Sequence, residues 1–237
     1  MSAASEPALQ RVCLVIAAHP DDVESWAGGT VAGLVQAGWR VTYVLCTSGD
    51  KGTSDPTEAP ERVAARREAE QRAACRVLGA AEPAFLRLPD GELEDDRALL
   101  RRLTRAIRVY QPTLLLTHDA VTPWPPYTCH RDHRVVGRVA LDAAYPYARD
   151  PLSFPELLRD EHLLPHVTPE VWLFCSAAPD HYVGISATLD LKIAARLEHR
   201  SQTSDAHALA RDWRRRAMET GAPAGLGAAE AFKRLTL

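Results

Sequence analysis

The sequence predicts an α/β fold in which a mostly parallel sheet carries helices on both faces, with further strands and helices toward the C-terminus. Short apolar runs rich in β-branched and aromatic residues alternate with longer amphipathic stretches. Four such β–α repeats fall within the first 145 residues, the signature of parallel strands joined by crossover helices. The first runs are continuously apolar rather than alternating, as in strands covered on both faces.

Residues 11–18 (RVCLVIAA) read as the first strand, and 23–37 as a helix stopped by Gly38. Residues 40–47 (RVTYVLCT) form a second buried strand, followed by a loop dense in Gly, Pro, Ser and Asp. Pro60 opens a helix that runs to Leu78 and ends at Gly79. AFLRL is a third strand, 96–110 a helix and 113–117 a fourth strand; a loop with three prolines then leads to a helix over 133–144. The segment 145–169 is proline-punctuated and irregular, with room for a short helix. Strands follow at 171–176 and 181–186, and helices at 189–199 and 206–219. No flexible linker divides the chain. The expectation is therefore a single domain over 1–237, with a core over about 11–203 and a C-terminal helical extension over about 204–237.

Of the chain's 237 residues, 46% are hydrophobic and 25% charged, values of a soluble globular protein. A net charge of -3 gives no case for sequence-independent nucleic-acid binding. Five scattered cysteines read as reduced thiols rather than a disulfide framework, with Cys129 a passive neighbour of His130. No secretory leader is evident at the N-terminus, and no apolar run approaches the roughly 18 residues of a membrane span. A cytoplasmic protein is expected, with a small-molecule substrate and the possibility of a homo-oligomer.

In open α/β sheets, ligands bind outside the carboxyl ends of the strands. In this layout ionisable residues gather at that edge: His19, Asp21 and Asp22 after the first strand, Ser48, Asp50 and Lys51 after the second, Asp90 and Glu92 after the third. The fourth strand is followed by His118 and Asp119, then by His130, Asp132 and His133 in TCHRDHR. An Asp at a helix start is ordinarily an N-cap, and a His at a strand end is ordinarily a surface residue. The pairing of His-Pro-Asp-Asp with His-Arg-Asp-His reverses both readings in favour of a metal. His19 and Asp22 can aim at one point from a turn entering a helix, with His130 or His133 as third ligand and water in the open position. Asp21, between the two ligand candidates, suits a general base. His118 reads as a loop histidine, Arg62, Arg66 and Arg67 as the solvated face of a helix, and Trp26, Trp172 and Trp213 as packing residues. The segment 145–169 is expected to shape the pocket.

The stretches AAHPDDVESWAGGT, VTYVLCTSGDKGT, HRDH and LDLKIAARLEHRSQ resemble the PIG-L / LmbE-like family of zinc-dependent de-N-acetylases, over about residues 12–202. The resemblance implies a Rossmann-like fold and removal of N-acetyl groups, typically from N-acetylglucosamine-containing substrates. It implies zinc (iron or another divalent ion being alternatives) held by His19, Asp22 and His133, with Asp21 as general base. It further implies that His130 stabilises the oxyanion or protonates the amine and that Asp132 orients a histidine. Arg67 would lie near the substrate, and Asp90 would hold sugar hydroxyls. Two departures stand out. Val23 follows the paired Asp where relatives commonly have Glu, which here comes at Glu24; and Gly184 occupies a position where relatives often carry Asp.

An amidase of the same architecture, cleaving a larger acyl group from a thiol conjugate, glycolipid or antibiotic, is the rival enzyme. A nucleotide-binding Rossmann protein is disfavoured, because AAHPDD stands where a Gly-rich phosphate loop is needed and two carboxylates there repel a pyrophosphate.

Overall fold

The computed structural model describes residues 11–121 and 130–237. Strands β1 (Val12–Ala17), β2 (Arg40–Thr47), β3 (Ala84–Leu88), β4 (Leu114–His118) and β5 (Glu170–Phe174) lie parallel in the order β3-β2-β1-β4-β5. Strands β6 (His181–Gly184) and β7 (Ala229–Thr236) complete a seven-stranded sheet in the order β5-β7-β6, with both new pairings antiparallel. The helices are α1 (Asp22–Gln36), α2 (Pro60–Leu78), α3 (Arg97–Tyr110), α4 (Arg131–Asp142), α5 (Pro155–Arg159), α6 (Leu189–Leu197) and α7 (Ala206–Gly221).

Burial on both faces explains the unbroken apolar runs. Along β1, Cys13, Val15 and Ala17 pack among residues of α1, α2 and α6, whereas Leu14 and Ile16 pack among residues of α3 and α4. Side chains that alternate between two covered faces must all be apolar, so the period of two disappears from the sequence. The cysteines Cys13, Cys46 and Cys75 are free and buried, and Cys129 and the three-proline loop lie outside the described residues. No helix among the described residues is long and apolar enough to cross a membrane.

One difference from the sequence-based layout concerns the C-terminal part. The tail is no helical extension: after α7 the chain re-enters the sheet as β7, between β5 and β6, with Phe232 fully buried. Its AEA start is poor in β-formers, and pairing on both edges overrides that weak propensity. The segment 145–169 contains the expected short helix, α5, and is tied down by Arg108, whose guanidinium donates to the carbonyls of Tyr147, Ala148, Asp150 and Ser153.

A polar knot joins α2 to β2 and β3. Glu68 accepts from Ser48 Oγ at 2.7 Å, from Arg87 Nε at 2.8 Å and Nη2 at 3.0 Å, and from Arg72 Nη2 at 3.2 Å. The Arg87 hydrogen bonds chiefly, against the effect of burial, hold the Glu68 carboxyl down from its ordinary 4.5 to about 2. A depressed carboxylate contributes stability that is complete above the unfolded-state pKa and is lost as pH falls toward the folded one. Glu68→Gln is therefore expected to cost about 1–3 kcal/mol at pH 7. It should also flatten the fall in stability between pH 4.5 and 2, read by denaturant titrations across that window.

Candidate active site

Strand β1 has β2 on one side and β4 on the other, so the connections diverge there and open a crevice at the carboxyl ends of β1 and β4. His19 lies just past β1, His118 ends β4, and His130 caps the N-terminus of α4. Helix α4 starts two residues earlier than the sequence indicates, which puts His133 in its first turn. Gly137, one turn later, lets α4 lie directly on the end of β4: a Cβ there would stand 2.4 Å from the His118 carbonyl oxygen. That close approach brings His133 over the crevice, its ring stacked on His118 with centroids 4.2 Å apart.

The three residues expected to hold a metal converge. His19 Nδ1 is 3.2 Å from His133 Nε2, His133 Nε2 is 3.1 Å from Asp22 Oδ1, and Asp22 Oδ2 is 3.5 Å from His19 Nδ1. Ligands bonded to zinc at about 2.0–2.1 Å in a tetrahedral array stand about 3.3 Å from one another, so the donor set fits such an ion. The charge balance also calls for a cation. Burial alone would lower the His19 pKa, but hydrogen bonds to Asp132, Asp22 and Asp90 raise it well above its ordinary value. Burial would likewise raise Asp22, but His133 and His118 hold its carboxyl well below the carboxylate range.

Neither aspartate caps α1. Asp22 Oδ2 accepts from the His19 backbone N–H at 2.8 Å, and Asp21, at the N-cap position, makes no capping bond. The Asp21 backbone is left-handed, with φ 85°, a conformation that costs a non-glycine residue free energy and recurs at functional sites. Its carboxylate lies 3.6 Å from Arg67 Nη2 and 3.3 Å from Arg196 Nη2. Burial raises the Asp21 pKa against the pull of those two guanidiniums, which is the direction a proton acceptor working near neutrality requires.

Arg67 is buried, not part of a solvated face. It donates to the carbonyls of Pro20 at 2.8 Å and Gly49 at 3.1 Å. Gly49, with φ 63°, is needed there, since a Cβ would fall 2.1 Å from Arg67 Nη1. The guanidinium is thus committed to the loop that carries Asp21. Asp90 stands with Oδ1 3.1 Å from His19 Nε2, so its carboxylate faces a ligand histidine. Asp132, fully buried, accepts from the backbone N–H groups of Gly91 and Leu93 and lies 3.3 Å from His19 Nε2. His130 is exposed, its ring 4.7 Å from that of His19. Its Nδ1 accepts from the Asp132 N–H at 3.1 Å, which places the proton of the neutral ring on Nε2. Burial, then the neighbouring His19 and His133, lower the His130 pKa and favour that neutral form.

Two further residues complete the site: His118, which the sequence places at this edge as a loop histidine, and Arg196. His118 is a buried strand residue, 1% exposed, with Nε2 3.1 Å from the Ala18 N–H and 3.3 Å from Asp22 Oδ2. It could join Asp22 and His133 around an ion, and burial drives its pKa down to about 4. Arg196 on α6 had no sequence signal beyond its place within LDLKIAARLEHRSQ. A cleft of about 660 Å³ leads to Asp21, Asp22 and His133; Trp26, Tyr182, Lys192 and Trp213 are among its walls. Trp26 and Trp213 therefore face the cleft, whereas Trp172 packs against Phe232 and His181. The segment 145–169 contributes nothing to its lining; α6, α7 and β7 do instead. Gly184 is exposed on β6 and faces Leu226.

The sheet order and the His/Asp cluster at its switch point define the class: an α/β protein with a metal-type centre of two imidazoles and a carboxylate. The profile of the GlcNAc-PI de-N-acetylase (PIG-L) family matches residues 14–144, and the chain belongs to that family. Diacetylchitobiose deacetylase of Thermococcus kodakarensis is 31% identical over 189 residues, 80% of this chain and 69% of that one. The solved N,N'-diacetylchitobiose deacetylase of Pyrococcus horikoshii superposes with a TM-score of 0.87 at 31% identity, covering 95% of this chain and 84% of that one. A relative named for another reaction, the 4-oxalmesaconate hydratase of Pseudomonas putida, is 29% identical over 200 residues, 78% of this chain and 72% of that one.

Proposed function

We propose that the protein is a metal-dependent hydrolase, zinc being the ion favoured by the donor set, that removes the N-acetyl group from an N-acetylglucosamine-type sugar or glycoconjugate. One observation carries this reading: His19, Asp22 and His133 present ligand atoms 3.1–3.5 Å apart, while Asp21, beside them, is turned away to two arginines and faces the same cleft. His19, Asp22 and His133 would hold the ion, which supplies Lewis acidity toward the amide carbonyl and acidifies water.

The chain's own groups do the rest. Asp21 takes a proton from the attacking water. Oxygen adds to the acetamide carbonyl carbon, and the negative charge that builds on the carbonyl oxygen receives the Nε2–H of His130. The proton that Asp21 took returns to the nitrogen and the C–N bond breaks, giving a free amine and acetate. Asp132 and Asp90 hold the ring of His19 in register while this occurs. Trp26, Tyr182 and Trp213 give the cleft the aromatic walls against which a sugar ring packs.

Acetate release tests the reading. Metal-loaded protein is expected to liberate acetate from N-acetylglucosamine, its β-1,4-linked dimer or an N-acetylglucosaminyl-inositol, and no fatty acid from N-palmitoyl counterparts. Release of the longer acyl group without acetate would favour the amidase alternative, and release of neither would sink the reading.

A further inference from the structure

We infer that Gln71, Glu24 and His199 form a buried relay that positions Asp21; this rests on Asp21 being the base in the reaction proposed above. Asp21 adopts a left-handed backbone and no capping bond of its own holds it there, so other groups must hold it. Its backbone N–H donates to Gln71 Oε1 at 3.0 Å. Which end of the Gln71 amide faces Asp21 is decided at the other end. There Nε2 donates to Glu24 Oε1 at 2.9 Å, and a carboxylate accepts only. Glu24 Oε2 in turn lies 3.2 Å from His199 Nε2.

Glu24, Gln71 and His199 are each 0% exposed. Burying an ionisable pair seldom improves on apolar packing, and its best-attested use is to fix one arrangement among several. Here the arrangement fixed is the orientation of one amide group and, through it, the backbone of the base. The three residues come from α1, α2 and the turn after α6, so the relay exists only when those elements are docked. Helix α6 also sends Arg196, one turn before His199, to the Asp21 carboxylate. Backbone and side chain of Asp21 are therefore both keyed from α6. Val23 faces the core, and Glu24 faces Gln71 and His199.

Glu24→Gln tests the relay, because its side-chain amide can donate as well as accept and so frees Gln71 to turn its NH2 toward the Asp21 N–H. Expected is a fall in kcat of at least tenfold, with KM within twofold of wild type and metal content unchanged. His199→Gln can still donate to Glu24 and is expected to keep kcat within threefold. If Glu24→Gln does not accumulate as folded protein, Gln71→Met removes the acceptor at nearly constant volume and should give the same selective loss of kcat. A wild-type kcat in folded Glu24→Gln or Gln71→Met, or a loss of kcat matched by loss of metal or a rise in KM, overturns the relay. A crystal structure of the variant reads the same point without turnover: Asp21 displaced supports it, Asp21 unmoved refutes it. Absence of acetate release from the wild type would count against the proposed reaction and leave the structural arm to judge the relay.

Discussion

Replacing Asp21 with Asn is expected to lower kcat roughly 10²–10⁴-fold, the range that positioned general bases contribute, while the protein still binds its metal. The substitution keeps shape and removes the charge that accepts a proton. It should spare the ligand cluster, because the contacts among His19, Asp22 and His133 do not pass through the Asp21 carboxylate. It does not spare the two arginines. Arg67 keeps its bonds to the Pro20 and Gly49 carbonyls, and Arg196 keeps Thr203, but both lose a facing carboxylate in a buried setting. A stability cost of about 1–3 kcal/mol is expected on that account. Steady-state kinetics, metal analysis and thermal unfolding on one preparation separate these effects. Full activity in the variant would remove Asp21 from the chemistry.

The parts of this site legible in the sequence are those whose partners lie within a few positions. His19, Asp21 and Asp22 share one turn, His130, Asp132 and His133 another, and the βαβ alternation places both turns at one sheet edge. Arg196 and Gln71 gave no such signal, and His118, though placed at the sheet edge, read as a loop histidine, because each meets its partner only through packing. Arg196 reaches Asp21 from α6, Gln71 reaches it from α2, and His118 at the end of β4 meets Asp22 at the start of α1. An arginine inside a run such as ARRE reads as solvated until the tertiary fold turns it inward, as happens to Arg67. The same cause hid β7: Ala229–Thr236 has little intrinsic strand preference and becomes a strand because β5 and β6 each offer it an edge. Burial of Phe232 there repays about 1.5–3 kcal/mol of the ordering cost. That strand brings Glu230 to Lys192, with 2.5 Å between Oε1 and Nζ, so the far wall of the cleft depends on the segment hardest to read.

His133→Ala is expected to abolish metal retention and turnover together, and to do so without unfolding the protein. His133 supplies one of three converging ligand atoms, and the remaining two, from His19 and Asp22, leave an ion with most of its shell in water. Loss of at least a hundredfold in affinity is in keeping with removal of a direct ligand, since even outer-shell partners are worth about 10–100-fold. The fold should tolerate the change, because α4 is anchored by Val136, Val139 and Ala140 in the core and by Gly137 against β4, not by the His133 ring. Thermal unfolding gives a readout independent of catalysis. An ion that binds only the folded state stabilises it by about 2.7 kcal/mol at a hundredfold excess over its dissociation constant. Adding zinc to chelator-stripped wild type should therefore raise its midpoint by several degrees and leave that of His133→Ala where it was. An equal rise in both proteins would place the ion elsewhere. His118→Gln locates the ion more closely, because His118 Nε2 is taken up by the Ala18 N–H and lies beneath Asp22. If His19, Asp22 and His133 are the ligands, this variant retains the zinc-dependent rise. If Asp22, His118 and His133 hold the ion instead, it loses the rise as fully as His133→Ala does.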